Sequence, residues 1–330
     1  MQLSCPGKLL VTGGSGFLGS AVANLACMAG WKVRIFDRSR HGQADGVEMF
    51  LAEISDQKVL RTACEGVSAV VHAAGLAHVF GQAAADSARF NAANETGTAK
   101  VVEAALECGV QHVLLVSSVS VYGSYRSDRC DETVDCHPQG PYAVSKWRGE
   151  IAASERMGAG KGSLTILRFA TIYGEGDRGN VAKLIGALDQ GRFIWPGSGL
   201  NQKSLIHKED AANACLLALE SRPVSNETFN VSAPPATLRE IVRAICVALD
   251  RPLPRLGIPP AVLTAALAIA RRIGDPGEIG ERLRKLTHND VYDGSKFERH
   301  FNFCPTISLT EGMRREVDFL RASSKPSISS

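Results

Sequence analysis

The chain has 330 residues, 45% of them hydrophobic and 22% charged, with a net charge of +3. That composition fits a globular protein with a sizeable core, and so small and scattered a charge speaks against a nucleic-acid or membrane-surface partner. Nine cysteines without a C-x-x-C pair argue against a disulfide framework or a structural zinc site, and for the reduced thiols of a cytoplasmic protein.

The opening MQLSCPGKLLVTGG leads into a strand rather than a signal peptide. Lys8–Thr12 is a short apolar run ending in glycines, the mark of a buried parallel strand. Residues 16–29 have helical spacing, with Leu18, Val22, Leu25 and Met28 on one side. Further strands are predicted at 32–36, 69–72, 112–116 and 164–168, with a long helix at 86–108 and another at 140–157. This alternation predicts an α/β fold, a Rossmann-type doubly wound parallel sheet with right-handed crossovers. Residues 1–174 form that domain, and 204–232 are expected to return to it. Residues 175–203 and 233–320 form a smaller C-terminal substrate-binding lobe. The apolar run 261–270 stops at Arg271 and Arg272, too short to span a bilayer, and is expected as a helix of the lobe. Residues 321–330 are polar and expected to be a disordered tail.

Residues 11–19 read VTGGSGFLG and fit two overlapping patterns, Gly14-x-Gly16-x-x-Gly19 and Gly13-x-x-Gly16-x-x-Gly19. In either, a strand turns sharply into a helix and the backbone approaches a pyrophosphate, which receives the free N–H groups of the helix N-terminus. Asp37, at the end of the second strand, is placed to accept both ribose hydroxyls of adenosine and to repel a 2′-phosphate. NAD is therefore the expected cofactor; NADP is the weaker alternative, kept open by Arg38 and Arg40.

Tyr142 and Lys146 are four residues apart on one helix and so share a face. A nearby ammonium stabilises phenolate, so Tyr142 is expected to titrate below the ordinary value of about 10 and to exchange a proton with a substrate hydroxyl. Ser118, just past the strand 112–116, is placed to hydrogen-bond the same hydroxyl.

These features and several others resemble, in order and over nearly the whole chain, the extended short-chain dehydrogenases/reductases in their NAD-dependent epimerase/dehydratase branch. TGGSGFLG at 12–19 is similar to the family's cofactor turn, which implies contacts from Gly13, Gly14, Ser15, Gly16, Phe17, Leu18 and Gly19. VHAAG at 71–75 resembles the strand end beneath adenosine and ribose, implicating Ala73, Ala74 and Gly75. NETGT at 94–98 resembles the helix motif whose asparagine, Asn94, supports the active site. SSVSVYG at 117–123, after Val116, resembles the serine strand, with Ser118 in the catalytic place and Ser120 near the sugar. PYAVSK at 141–146 resembles the catalytic helix, and RFATIYG at 168–174 the segment that passes the nicotinamide, implicating Phe169 and Thr171. SLIHKED at 204–210 and YDGSK at 292–296 resemble C-terminal signatures.

The sequence also departs from the family pattern. Ala52-Glu53-Ile54 replaces a Gly-Asp-hydrophobic triplet near adenine, with Glu53 and Ile54 still placed to serve. Lys203 stands where nucleotide-sugar epimerases often carry an arginine for the substrate diphosphate, giving charge without bidentate geometry. Family dehydratases carry an acidic pair after the catalytic Ser or Thr; here Val119 and Ser120 occupy those places. His78 and Asn180 are candidates for the sugar and nucleotide, Asn180 having a helix-cap role as its alternative. His72 is expected to pack or hydrogen-bond rather than catalyse, and no residue cluster has metal-ligand spacing.

The resemblance implies a nucleotide-sugar epimerase acting at C4 of a UDP-sugar, with Tyr142 as acid/base. The alternatives are a 4-keto-sugar reductase and a hydroxysteroid-type dehydrogenase; residues 252–274 also resemble sugar reductases of bacterial surface-polysaccharide synthesis. An idle dinucleotide sensor is disfavoured by the intact Ser118, Tyr142 and Lys146. The family further implies a homodimer in which helices 86–108 and 140–157 pair across a two-fold axis, with Ala99, Ala104 and Ala105 permitting close packing.

Overall fold

Apolar runs without period-two alternation need cover on both faces. In the computed structural model, which describes residues 7–40, 47–77, 83–123, 129–158, 162–221, 226–258, 262 and 288–324, the strands find it in a seven-stranded parallel sheet. Its strands are β1 (Lys8–Thr12), β2 (Lys32–Asp37), β3 (Glu48–Leu51), β4 (Ala69–His72), β5 (His112–Ser118), β6 (Ser163–Phe169) and β11 (Glu227–Val231). Their order is β11-β6-β5-β4-β1-β2-β3. The order reverses between β1 and β4, and the crevice at the carboxyl ends of such strands is where doubly wound sheets take ligands.

Each face of the sheet has its own core. Leu9, Val11, Val22, Ile35 and Phe229 pack beneath α1 (Phe17–Met28), α7 (Lys208–Glu220) and α9 (Ser295–Phe301). Leu10, Leu60, Val101, Leu115 and Met157 pack on the other face, under α2 (Gln57–Cys64), α4 (Gly97–Glu107) and α5 (Gly140–Gly158). A third core belongs to the lobe, where α6 (Asn180–Asp189), α8 (Leu238–Leu249) and α10 (Leu309–Ser324) bury Ile185, Ile241, Ile245, Met313 and Val317. Among the described residues no helix is long and apolar enough to cross a membrane, and no His/Cys/Asp/Glu group could hold a metal ion.

Several expectations need correction. Strand 112–116 continues to Ser118, so the candidate serine closes β5 instead of following it. Residues 205–207 do not join the main sheet; as β10 (Leu205–His207) they pair with β7 (Thr171–Tyr173). Residues 321–324 are helical in α10. Ala99, Ala104 and Ala105 are buried inside the protomer, so this small-residue face serves its own packing rather than a second copy. The run 261–270 lies, apart from residue 262, outside the described residues.

The helix expected at 86–108 is present as one continuous helical run, irregular in its middle. It consists of α3 (Ala83–Phe90), a π-helical stretch Asn91–Thr96 and α4, with Gly97 N–H donating to Ala92 O across the wider turn. Such π segments are uncommon and concentrate at functional sites. This one brings the backbone of Asn94 so close to α5 that a Cβ on Gly149 would stand 2.3 Å from Asn94 O. Gly149→Ala should therefore destabilise the protein by about 1–3 kcal/mol through overpacking, read as a lower midpoint in chemical denaturation; an unchanged midpoint would show that the helices can part freely.

Candidate active site

The turn from β1 into α1 forms a cradle in which side chains have no room. Gly13 has φ +70°, a left-handed conformation that favours glycine. A Cβ there would stand 2.6 Å from the backbone of Ala74, and a Cβ on Gly19 would stand 2.1 Å from Gly13 O. Of the two overlapping patterns, the one beginning at Gly13 thus carries the backbone requirement. Gly13 N–H donates to Phe36 O at 2.8 Å, tying the turn to β2. Asp37, at the end of β2, accepts from Ser15 N–H at 3.0 Å and Ser39 N–H at 3.2 Å, so its carboxylate stands at the rim of the cradle. The cradle suits a dinucleotide: glycines clear the approach, α1 presents its N-terminus, and a carboxylate waits for ribose hydroxyls. Arg38 and Arg40 are exposed beside it; Glu53 is exposed and Ile54 packs near Gly97.

The end of β4 joins this cradle to α5. Ala73 N–H donates to Thr12 O at 3.1 Å and Ala74 N–H to Thr12 Oγ1 at 3.4 Å. A Cβ on Gly75 would stand 2.8 Å from Asn94 Oδ1 and 3.9 Å from Lys146 Nζ. Asn94 is buried and fully engaged. Its Oδ1 accepts from Leu76 N–H at 2.8 Å, and its Nδ2 donates to Leu76 O at 3.0 Å and Ser145 Oγ at 2.9 Å. Lys146 Nζ donates to Val116 O at 2.6 Å, and the Tyr142 ring lies edge-on to Phe90 at 5.9 Å. Ser118, Tyr142 and Lys146 therefore gather at the carboxyl end of β5, beside the residues that line the cradle.

The electrostatics differ from the simple expectation. Burial pushes the Tyr142 phenol above its ordinary value, and hydrogen bonding with Ser118 opposes that rise. The Lys146 ammonium is itself desolvated and turned to a carbonyl, that of Val116. Burial lowers Lys146 to about 8 against the opposing pull of Glu150. His72 is a buried strut: Nδ1 lies 2.7 Å from Thr12 Oγ1 and Nε2 3.0 Å from Thr98 Oγ1. Burial, helped by Lys146, lowers it to about 3, so it stays neutral near pH 7.

The proposed substrate residues divide. Ser120 Oγ is buried with no hydrogen-bond partner, next to the Ser118 Oγ that accepts its N–H at 3.2 Å. Thr171 opens β7 and is exposed. Phe169 is buried in the core and not open to a ligand. Asn180 is exposed and does not cap its helix: Gly179 is the N-cap, and the Asp177 carboxylate accepts from Gly179 N–H at 2.7 Å and Ala182 N–H at 3.2 Å. Lys203 Nζ is bound to Asp290 and, at 2.9 Å, to His288 O, so its charge is already neutralised. His78 lies outside the described residues.

Two buried carboxylates escaped the sequence reading. Glu150 pairs with Arg168 at 2.7 Å beneath the catalytic helix, and its only signal was a place one turn after Lys146. Glu316 of α10 accepts from Gly174 N–H at 3.1 Å and so pins the loop between β7 and α6; burial pushes it up to about 8. Because Ser118 is what opposes the upward shift of Tyr142, Ser118→Ala should raise the phenol further, read by titration of ¹³Cζ-labelled tyrosine; a downward move would mean another group sets that value.

The sequence profile of the NAD dependent epimerase/dehydratase family matches residues 9–232. Among similar proteins, the 2-alkyl-3-oxoalkanoate reductase of Stenotrophomonas maltophilia is 29% identical, covering 96% of this chain and 99% of its own. The N-acetyl-alpha-D-glucosaminyl-diphospho-ditrans,octacis-undecaprenol 4-epimerase of Escherichia coli O157:H7 is 27% identical, over 94% and 95% respectively. The UDP-glucuronic acid 4-epimerase of Bacillus cereus, solved with NAD, superimposes with a TM-score of 0.78 at 19% identity, covering 96% of this chain and all of that one, a likeness of fold. With the glycine cradle, the parallel sheet and the profile in agreement, the chain belongs to the NAD-dependent epimerase/dehydratase family of enzymes.

Proposed function

We propose that the protein is a cytoplasmic, NAD-dependent nucleotide-sugar epimerase that inverts C4 of a UDP-sugar, with Tyr142 as its acid/base. The observation that carries this reading is the backbone of residues 73–75, packed against Gly13 on one side and beside Asn94 and Lys146 on the other. It sets a dinucleotide cradle and a proton-transfer group within one crevice. NAD bound there supplies the acceptor and donor of a hydride. Tyr142 takes the C4 hydroxyl proton as that carbon is oxidised, and returns it to the keto oxygen when the other face is reduced. Ser118 hydrogen-bonds the same oxygen, and Ser120, whose buried Oγ has no hydrogen-bond partner, stands next to it. Val119 and Ser120 have no carboxyl group with which to eliminate water, which argues against a dehydratase. Lys203 is left out of diphosphate binding because Asp290 already holds its charge. A homodimer through α4 and α5 belongs to the same reading, using faces other than the buried alanines.

A second reading is a one-direction ketoreductase. It is favoured by the neutralised Lys203 and by the 29% identical oxoalkanoate reductase. The two separate in an assay of UDP-hexoses without added cofactor. Interconversion of C4 epimers supports the epimerase; a strict need for stoichiometric reduced cofactor supports the reductase. In the productive assay, Tyr142→Phe should cut turnover by roughly 10²–10⁴-fold while leaving NAD affinity nearly intact, and near-normal turnover would contradict the role given to Tyr142. Calorimetry should find NAD bound more tightly than NADP, with Asp37→Ala narrowing the difference; equal binding by the unmodified protein would mean that Arg38 and Arg40 dominate.

A further inference from the structure

A buried carboxylate is costly unless it is paired and hydrogen-bonded. Glu150 is 2% exposed and lies one helical turn beyond Lys146 and two beyond Tyr142 on α5. Arg168 grips it in a bidentate manner, Nη2 to Oε2 at 2.7 Å and Nε to Oε1 at 3.1 Å. Ser117 Oγ donates to Oε1 as well. The guanidinium is held in turn over the rings of Tyr122, at 4.8 Å, and Trp147, at 5.5 Å. One carboxylate therefore ties together α5, β5 and β6. On β5 its partner immediately precedes Ser118, and on its own helix it follows Lys146.

We propose that Glu150 is a positioning residue of the catalytic set, holding the Ser118 end of β5 in register with α5 and presenting its charge to the Lys146 ammonium. The inference rests on Tyr142 and Lys146 being the working pair. The titratable groups facing Lys146 are Glu150, one turn on along its own helix, and His72 from β4, with Tyr142 one turn before it on the same helix. Those facing Glu150 are Lys146, Arg168 of β6 and Cys136 from the segment before α5. A pair that merely filled the core could be exchanged for neutral side chains without consequence for Lys146. If Glu150 acts on Lys146, its removal lets burial act unopposed, and the ammonium is lost at a lower pH.

The test compares Glu150→Gln with the double variant Glu150→Gln/Arg168→Met in the full chain. The single variant strands the Arg168 charge and is expected to lose stability; the double variant removes both charges and should recover it. In the double variant, ¹⁵Nζ NMR of labelled lysines, with Lys146 assigned by its loss in Lys146→Met, should show Lys146 titrating lower than in the parent. The alkaline limb of kcat with a UDP-hexose should move down with it. A stable double variant whose Lys146 titrates as in the parent overturns the inference while leaving the functional reading intact. A Lys146 that moves while the pH profile of kcat stays put overturns the reading of Lys146 as a working group, and with it the role given to Glu150.

Discussion

The site depends on one close approach of backbones. Where β4 ends, residues 73–75 run between the glycine turn and the π stretch beside α5, and neither side leaves room for bulk: Gly13 abuts Ala74, and Gly75 abuts the Asn94 amide. Asn94 then fixes Leu76 through two hydrogen bonds and reaches Ser145 on α5 with a third. The π stretch exists at the point where this side chain must leave its helix toward β4. Widening any of these contacts would separate the cradle from Lys146, and a proton-transfer group is useful only within hydrogen-bond reach of the reacting atoms.

Much of this was legible in the residues. The apolar runs of β1, β4 and β5 read as buried parallel strands because helices on both faces remove any alternation. The glycine turn, Asp37 and the Tyr142–Lys146 spacing were readable because each is local, a short string whose geometry follows from its own secondary structure. What escaped reading is long-range. The π stretch in helix 86–108 lies where Asn94 O meets Gly149, more than fifty residues on. The Glu150–Arg168 pair joins a helix to a strand, and Glu316 reaches Gly174 across 142 positions. The direction of the Tyr142 shift was missed for the same reason: helical spacing shows that a lysine is near, but not that burial outweighs it.

The lobe is built around a core of its own, apart from the main sheet. Its core of α6, α8 and α10 is well packed, and Glu316, Arg315 and Glu175 strap α10 to the loop that leaves β7. That loop runs from Gly174 to Gly179, so the strap fixes the passage from β7 into α6. Lys203, on the strand Gln202–Lys203, is held by Asp290.

In the proposed reaction one carbon is oxidised and then reduced again within this crevice, by a set that includes Tyr142. That reaction is tested most directly with a UDP-hexose carrying deuterium at C4, incubated with the protein and no added cofactor. The account predicts both C4 epimers at equilibrium, each with its deuterium still at C4. Loss of the label to solvent, or a single epimer that never interconverts, would contradict it.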